Sequence, residues 1–132
     1  MNNRIEKTRQ RCILLVEDNR MNQFVAKKHI ESTGNVEVVI ADNGKVAIDK
    51  LMERDFDLIL MDIEMPVMNG LEATKYIRTE MNYSSEDLPI LAMTTLHIGD
   101  EYPNYEMQDY IAKPVSDWRT AIAKIDACLQ KK

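Results

Sequence analysis

An α/β domain, with a parallel sheet covered by helices on both faces, is the fold class that this 132-residue sequence predicts. Three observations predict it. Short apolar runs recur along the chain and stop abruptly at polar residues, as strands buried on both faces do. Amphipathic stretches of about one helix each separate the runs, which suits right-handed crossovers between parallel strands. The length fits one domain, and no repeat, low-complexity tract or Pro/Gly-rich linker divides it.

Cys12-Ile-Leu-Leu-Val16 is the first strand and ends at Glu17-Asp18. Asn19 to Thr33 follows as a helix, with Met21, Phe24, Val25 and Ile30 as its apolar positions and Gly34 as its stop. Val36 to Ile40 is the second strand, Asp42-Asn-Gly44 a turn, and Val46, Ala47, Ile48 and Leu51 the stripe of the second helix. Asp57 to Met61 is the third strand, ending at Asp62. Pro66 and Asn69-Gly70 mark a loop, after which Leu71, Ala73, Thr74 and Ile77 face inward from a third helix reaching about Met81. Leu88 to Met93 is the fourth strand and ends at Thr94-Thr95; Tyr110-Ile-Ala112 is the fifth and ends at Lys113-Pro114. Ser116 is placed to cap the last helix, where Trp118, Ala121, Ile122, Ile125, Cys128 and Leu129 recur at helical spacing. Between strands four and five, His97 to Asp109 holds Gly99, Pro103 and Asn104 and no apolar stripe. A helix through Pro103 would lose a backbone bond and clash at the ring, so the fourth helix is expected to be short or irregular.

Composition narrows the function classes. Lys plus Arg is 17 against 22 for Asp plus Glu, a net charge of −5, which argues against a nucleic-acid-binding face. No apolar stretch approaches the roughly 20 residues of a membrane span. Residues 1–11 are polar and basic without the apolar core of a secretory signal, and are expected to be a tail or linker remnant before a domain at 12–132. Cys12 and Cys128, far apart, are expected to be buried thiols in a reducing, cytoplasmic compartment. His29 and His97 have no second ligand at zinc spacing.

The polar residues that end the strands carry the chemistry. Glu17, Asp18, Asp62, Thr94 and Lys113 each follow or close a strand, and in a parallel sheet those carboxyl ends share one edge, where ligands bind. Crowded carboxylates repel unless a cation is present. Hard oxygen donors of this kind suit magnesium. A carboxylate beside such an ion is a potential phosphoryl nucleophile, and a lysine and a hydroxyl supply the positioning and charge that phosphoryl transfer requires. The edge therefore reads as an Mg²⁺-dependent phosphoryl-acceptor site.

The blocks Leu-Leu-Val-Glu17-Asp18-Asn, Met-Asp62-Ile-Glu-Met-Pro-Val-Met-Asn-Gly70, Ala-Met-Thr94 and Tyr110-Ile-Ala-Lys113-Pro114 together resemble the response-regulator receiver domains of two-component signalling. The likeness runs from about Cys12 to Leu129, and the Asp18-Asn-x-x-Asn22 pattern is most similar to receivers attached to hybrid sensor histidine kinases. The resemblance implies a flavodoxin-like doubly wound sheet of five strands in the order 2-1-3-4-5. It implies that Asp62 is the phosphoacceptor, supplied by a sensor histidine kinase or a histidine phosphotransfer protein. Glu17, Asp18 and Asp62 would hold Mg²⁺, Glu64 would offer its backbone carbonyl, Thr94 would bond a phosphoryl oxygen, and Lys113 would pair with Asp62 or its phosphate. Thr94 and Tyr110 would move together as the switch, and the Lys113–Pro114 bond would be cis. Such a chain is a phosphoacceptor in a phosphorelay and not a turnover enzyme. It contacts no nucleic acid directly and is either a stand-alone switch or the cytoplasmic receiver of a longer, membrane-anchored hybrid kinase.

Three departures from the family qualify this reading. The interval from Thr94 to Lys113 is short and lacks the usual glycine before the fifth strand, which leaves the output face altered. Thr95 stands where the family generally has alanine, which predicts a narrower entrance and slower reaction with small donors. Leu96, near the path of hydrolytic water with Glu64, is expected not to orient that water and so to give a long-lived phosphoryl group. A receiver-fold interaction module with little phosphorylation is the main alternative. An aspartyl-nucleophile phosphohydrolase of the haloacid-dehalogenase type would carry its Asp-x-Asp after the first strand, whereas Asp62-x-Glu64 follows the third. A flavin-binding module would want a Ser/Thr-rich phosphate loop where Glu17-Asp18-Asn19 stands.

Overall fold

The computed structural model describes residues 10–65, 67–95 and 106–130. Their elements run β1 (Arg11–Val16), α1 (Arg20–Glu31), β2 (Val36–Ala41), α2 (Gly44–Glu53), β3 (Leu58–Asp62), α3 (Gly70–Thr79), β4 (Ile90–Thr94), β5 (Asp109–Ala112) and α4 (Trp118–Gln130). The five strands pair in the order β2-β1-β3-β4-β5, every pair parallel. β1 begins at Arg11, the last residue of the expected tail, whose guanidinium reaches the Leu129 carbonyl at 3.3 Å. Residues 96–105, which hold Leu96, His97 and most of the expected fourth helix, lie outside the described residues.

Successive side chains of a strand leave on opposite faces, and in the central strands both faces are apolar. Cys12, Leu14 and Val16 of β1, Ile59 and Met61 of β3, and Ile90 and Ala92 of β4 enter one core, with Ala47 and Leu51 of α2 and Ala73 and Ile77 of α3. Ile13, Leu15, Leu58, Leu60, Leu91 and Met93 enter the other, with Ala26 and Ile30 of α1 and Ala121, Ile125, Cys128 and Leu129 of α4. Each fully buried leucine or isoleucine contributes roughly 1.5–3 kcal/mol, so these two layers drive assembly. They do not fix register, because a slip of one residue exchanges one apolar face for another. The polar strand ends do that. Asp57 Oδ2 accepts the Cys12 N–H at 2.9 Å, and the Asp57 N–H donates to the Cys12 carbonyl at 2.8 Å, pinning the start of β3 against β1.

Two local expectations are corrected. Met21 and Phe24 do not face inward: they are 68% and 65% exposed, and α1 instead buries Gln23, Ala26 and Ile30. The small Ala26 lets the helix approach the sheet, and Gln23 is buried because its amide is used, donating to the Glu17 carbonyl at 2.6 Å and to Asp42 Oδ1 at 2.9 Å. Ser116 does not cap α4. Asp117 does, its Oδ1 accepting the Arg119 N–H at 3.0 Å and its Oδ2 the Thr120 hydroxyl at 3.3 Å. A carboxylate there also meets the positive end of the helix dipole, which a serine does not. The glycine stop of α1 is realised: Gly34 has φ 89°, in the left-handed region. Cys12 and Cys128 are both buried, and neither is in a disulfide. His29 is exposed on one side and stacked on Trp118 on the other, with centroids 4.9 Å apart, which ties α1 to α4.

Candidate functional site

Strand register carries the polar residues to one place. Val16 pairs with Met61, Asp62 with Met93, and Thr94 with Ala112, so Glu17, Asp62, Thr94 and Lys113 sit at successive positions along the carboxyl edge. The backbone continues the ladder one step beyond the strands, with Glu17 N–H to Ala41 at 3.0 Å, Ile63 N–H to Met93 at 2.9 Å and Lys113 N–H to Thr94 at 2.9 Å. The side chains therefore stand on fixed backbone. Gly70 holds the rest of the loop close: its N–H donates to the Ile63 carbonyl at 3.0 Å, and a Cβ there would lie 2.3 Å from the Asp62 carbonyl oxygen. The Lys113–Pro114 peptide is cis.

Lys113 Nζ lies 3.0 Å from Asp62 Oδ2 and 3.2 Å from Glu17 Oε1. Glu17 Oε2 accepts the Asn19 N–H at 3.1 Å, and Asp62 Oδ1 accepts the Glu64 N–H at 3.1 Å. Among the described residues, no hydrogen bond is directed at the buried Oδ2 of Asp62; the ammonium beside it makes an ion-pair contact only. Asp62 is fully buried, Glu17 2% exposed and Asp18 open to solvent. Each of these acids brings a carboxylate oxygen within 4.8 Å of the other two. Burial pushes the Asp62 carboxyl up to about 7, and the neighbouring Glu17 adds to the shift while the Lys113 ammonium opposes it. Burial alone would lower the Lys113 amine, but its pairing with the Asp62 and Glu17 carboxylates outweighs that and raises it.

With all three acids ionised, three carboxylates against one ammonium leave a local charge of −2. A cluster of hard oxygen donors that its one ammonium does not balance fits a small divalent cation better than it fits a structural salt bridge. Beside it opens a cleft of about 300 Å³, lined by Asn22, Val25, Thr95, Lys113, Pro114 and Trp118 among others. Tyr110 is partly buried on β5 against the α2–α3 core, with Lys124 Nζ 5.0 Å from its ring centre.

Two contributions escape the sequence reading. Gln23 anchors the Glu17 carbonyl from α1, from the buried face it shares with Ala26 and Ile30, and no hydropathy pattern marks it. The Glu64 side chain, beyond the backbone carbonyl expected of it, accepts the Thr94 and Thr95 hydroxyls and the Thr95 N–H.

Comparison with known proteins agrees with this geometry. A family model described as the response regulator receiver domain matches residues 13–125. The sensor protein GacS of Pseudomonas syringae pv. syringae is 35% identical over 113 residues, covering 83% of this chain and 12% of that protein. The chain thus spans a small part of the curated relatives it matches. Among solved structures, the response regulator TrrA of Thermotoga maritima, in complex with Mg²⁺–BeF, has TM-score 0.80 at 26% identity, covering 91% of this chain and 100% of that one. The receiver domain of a Pseudomonas aeruginosa PAO1 sensor histidine kinase, with magnesium coordinated in its active-site cleft, has TM-score 0.73 at 33% identity, covering 92% and 96%. Strand order, the acid cluster and these likenesses converge, and the chain belongs to the response-regulator receiver domain family.

Proposed function

We propose that this chain accepts a phosphoryl group on Asp62 from a phosphohistidine of a sensor histidine kinase or histidine phosphotransfer protein, in the presence of Mg²⁺. The observation that carries the proposal is the state of Asp62: fully buried, crowded by Glu17, sharing one lysine, and left with an oxygen at which no hydrogen bond is directed. An Asp62 carboxylate oxygen attacks phosphorus, the P–N bond to the donor imidazole breaks, and the nitrogen keeps the electron pair. Lys113 stays with the charge as it moves from the carboxylate to the phosphoryl oxygens. Thr94, 1% exposed at the end of β4, offers a hydroxyl to one of those oxygens. Glu17, Asp18 and Asp62, with the Glu64 carbonyl, would hold the magnesium ion, which neutralises phosphoryl oxygens when bound. Thr94 and Tyr110 then carry the change toward β5. Thr95 lines the cleft mouth and slows small donors.

The chain is a phosphoacceptor that acts by switching its contacts. No helix among the described residues is long and apolar enough to cross a membrane, in keeping with a cytoplasmic site of action. Incubation of wild type and Asp62→Asn with acetyl phosphate and Mg²⁺, followed by intact mass measurement, tests the proposal. A gain of about 80 Da, one HPO₃, in wild type alone is expected. An equal gain in both proteins, or none in wild type even with a cognate kinase, would overturn it.

A further inference from the structure

The Glu64 carboxylate sits on the two threonines at the end of β4. Its Oε1 accepts from the Thr94 hydroxyl and, at 3.1 Å, from the Thr95 N–H, while its Oε2 accepts from the Thr95 hydroxyl. Its own N–H is held by Asp62 Oδ1 at 3.1 Å, so the carboxylate is tethered two residues from the proposed phosphoryl site. A hydroxyl has one proton to donate. While Thr94 gives it to Glu64, that proton is withheld from a phosphoryl oxygen on Asp62. A phosphoryl group also brings roughly −1.5 to −2 charges, and the two anions repel at this range.

We propose that Glu64 is a carboxylate latch, an anion built into the chain that occupies Thr94 and Thr95 before phosphorylation and is displaced by the phosphoryl group. The proposal rests on the acceptor reading of Asp62 and adds a positioning residue to it, since Glu64 acts through Thr94 and not on the reacting atoms. The latch makes phosphorylation harder than it would be at a bare site. It also ties the switch hydroxyl to Thr95, whose side chain and N–H share this one partner residue. Displacement of Glu64 therefore releases the backbone just after β4 together with the Thr94 hydroxyl. Thr95 earns its place by this account as the second anchor of the latch.

Titration of the full chain with Mg²⁺ and beryllofluoride, followed by the fluorescence of Trp118 in the adjoining cleft, tests the latch. Glu64→Ala removes the competing anion and is expected to tighten binding about tenfold. Glu64→Gln, whose amide oxygen still accepts a hydroxyl without carrying charge, is expected to fall between. Thr95→Val loosens one anchor and is expected to tighten binding a few-fold in wild type and not at all in the Glu64→Ala background, because its effect passes through Glu64. The Thr95 amide resonance in the ligand-free protein gives a readout independent of phosphoryl chemistry, and is expected to move in Glu64→Ala toward its position in beryllofluoride-bound wild type. Equal or weaker binding in Glu64→Ala, or an undiminished Thr95→Val effect in that background, would overturn the latch while the acceptor reading stands. Wild type that binds no beryllofluoride overturns the acceptor reading and the latch with it.

Discussion

Among the described residues the fold buries charge in two places, and the places are opposites. Arg78, at the end of α3, is 8% exposed and gives five hydrogen bonds to four backbone carbonyls: Glu106 at 2.7 and 3.2 Å, Tyr83 at 3.2 Å, Ser84 at 3.0 Å and Leu88 at 2.8 Å. Burial lowers its pKa, yet the guanidinium stays charged, and its donors stitch the turn after α3 to the approach to β5. At the carboxyl edge of the sheet, Glu17 and Asp62 share one lysine with the Asp18 carboxylate close by, so the acids outnumber the cation. The first is a satisfied charge that holds structure. The second is a cluster whose acids outnumber its one cation, and it is where we propose that a ligand binds. Burial alone does not separate function from framework; the balance of donors, acceptors and charge does.

The sharpest way to break this contrast is at the arginine. Arg78→Ala takes a donor from four carbonyls, of which only Ser84 has the Leu88 N–H at 3.0 Å in reserve, and is expected to cost about 3–5 kcal/mol in urea unfolding, since one partner of a buried charged network is removed. Loss of less than about 1 kcal/mol would show that the hub is ornamental. Gly70→Ala comes next. Its methyl would meet the Asp62 carbonyl oxygen at 2.3 Å and the Ile63 Cα at 2.9 Å, both backbone, so the loop must shift. A cost of about 1–3 kcal/mol is expected, together with slower phosphorylation by acetyl phosphate. Unchanged stability would mean that the loop is not packed on β3.

The acid cluster predicts a gain from a lost charge. The folded-state pKa of Asp62 is raised to about 7 by burial first and Glu17 second, from an ordinary value of 3.8. The folded chain therefore binds a proton that the unfolded chain has released between those values, and stability falls as pH rises through that window. In EDTA, wild type is expected to lose about 1–3 kcal/mol between pH 5 and pH 8, and Asp62→Asn to lose much less and to be the more stable at pH 8. Parallel pH profiles would sink this. The smallest effect is local. Val67 has φ 72° in the loop between Asp62 and α3, where a β-branched residue is strained and glycine is not. Val67→Gly is expected to stabilise by about 1 kcal/mol, read as a shift in the urea midpoint at constant slope.

What could be read from the sequence follows from where polarity changes abruptly. The central strands are apolar on both sides and end at Glu17, Asp62 and Thr94, so strand ends and site residues are marked by the same step. That is why the sheet, its parallel sense and the convergence of Glu17, Asp62, Thr94 and Lys113 were legible. α1 was legible as a helix and at Ile30, but the rest of its buried face was not, because Gln23 and Ala26 complete it while the larger apolar residues Met21 and Phe24 are exposed. Helical periodicity weighs size and hydropathy, and a buried glutamine that earns its burial through hydrogen bonds is invisible to it. The cap at Asp117 was missed in favour of Ser116 because both are good N-caps one position apart. The Arg78 hub and the Glu64 side chain depend on contacts across 28 and 30 positions, to Glu106 and Thr94, and no local pattern announces such pairs.

The most direct measurement is urea unfolding at pH 8 in EDTA and in increasing Mg²⁺, on wild type and Asp62→Asn. If the carboxyl edge is an unbalanced cluster that a divalent cation completes, magnesium at tenfold its dissociation constant adds about 1.4 kcal/mol to wild type, and far less at the same concentration to Asp62→Asn. Wild-type stability that does not change with magnesium, or rises equally in both proteins, would contradict the account.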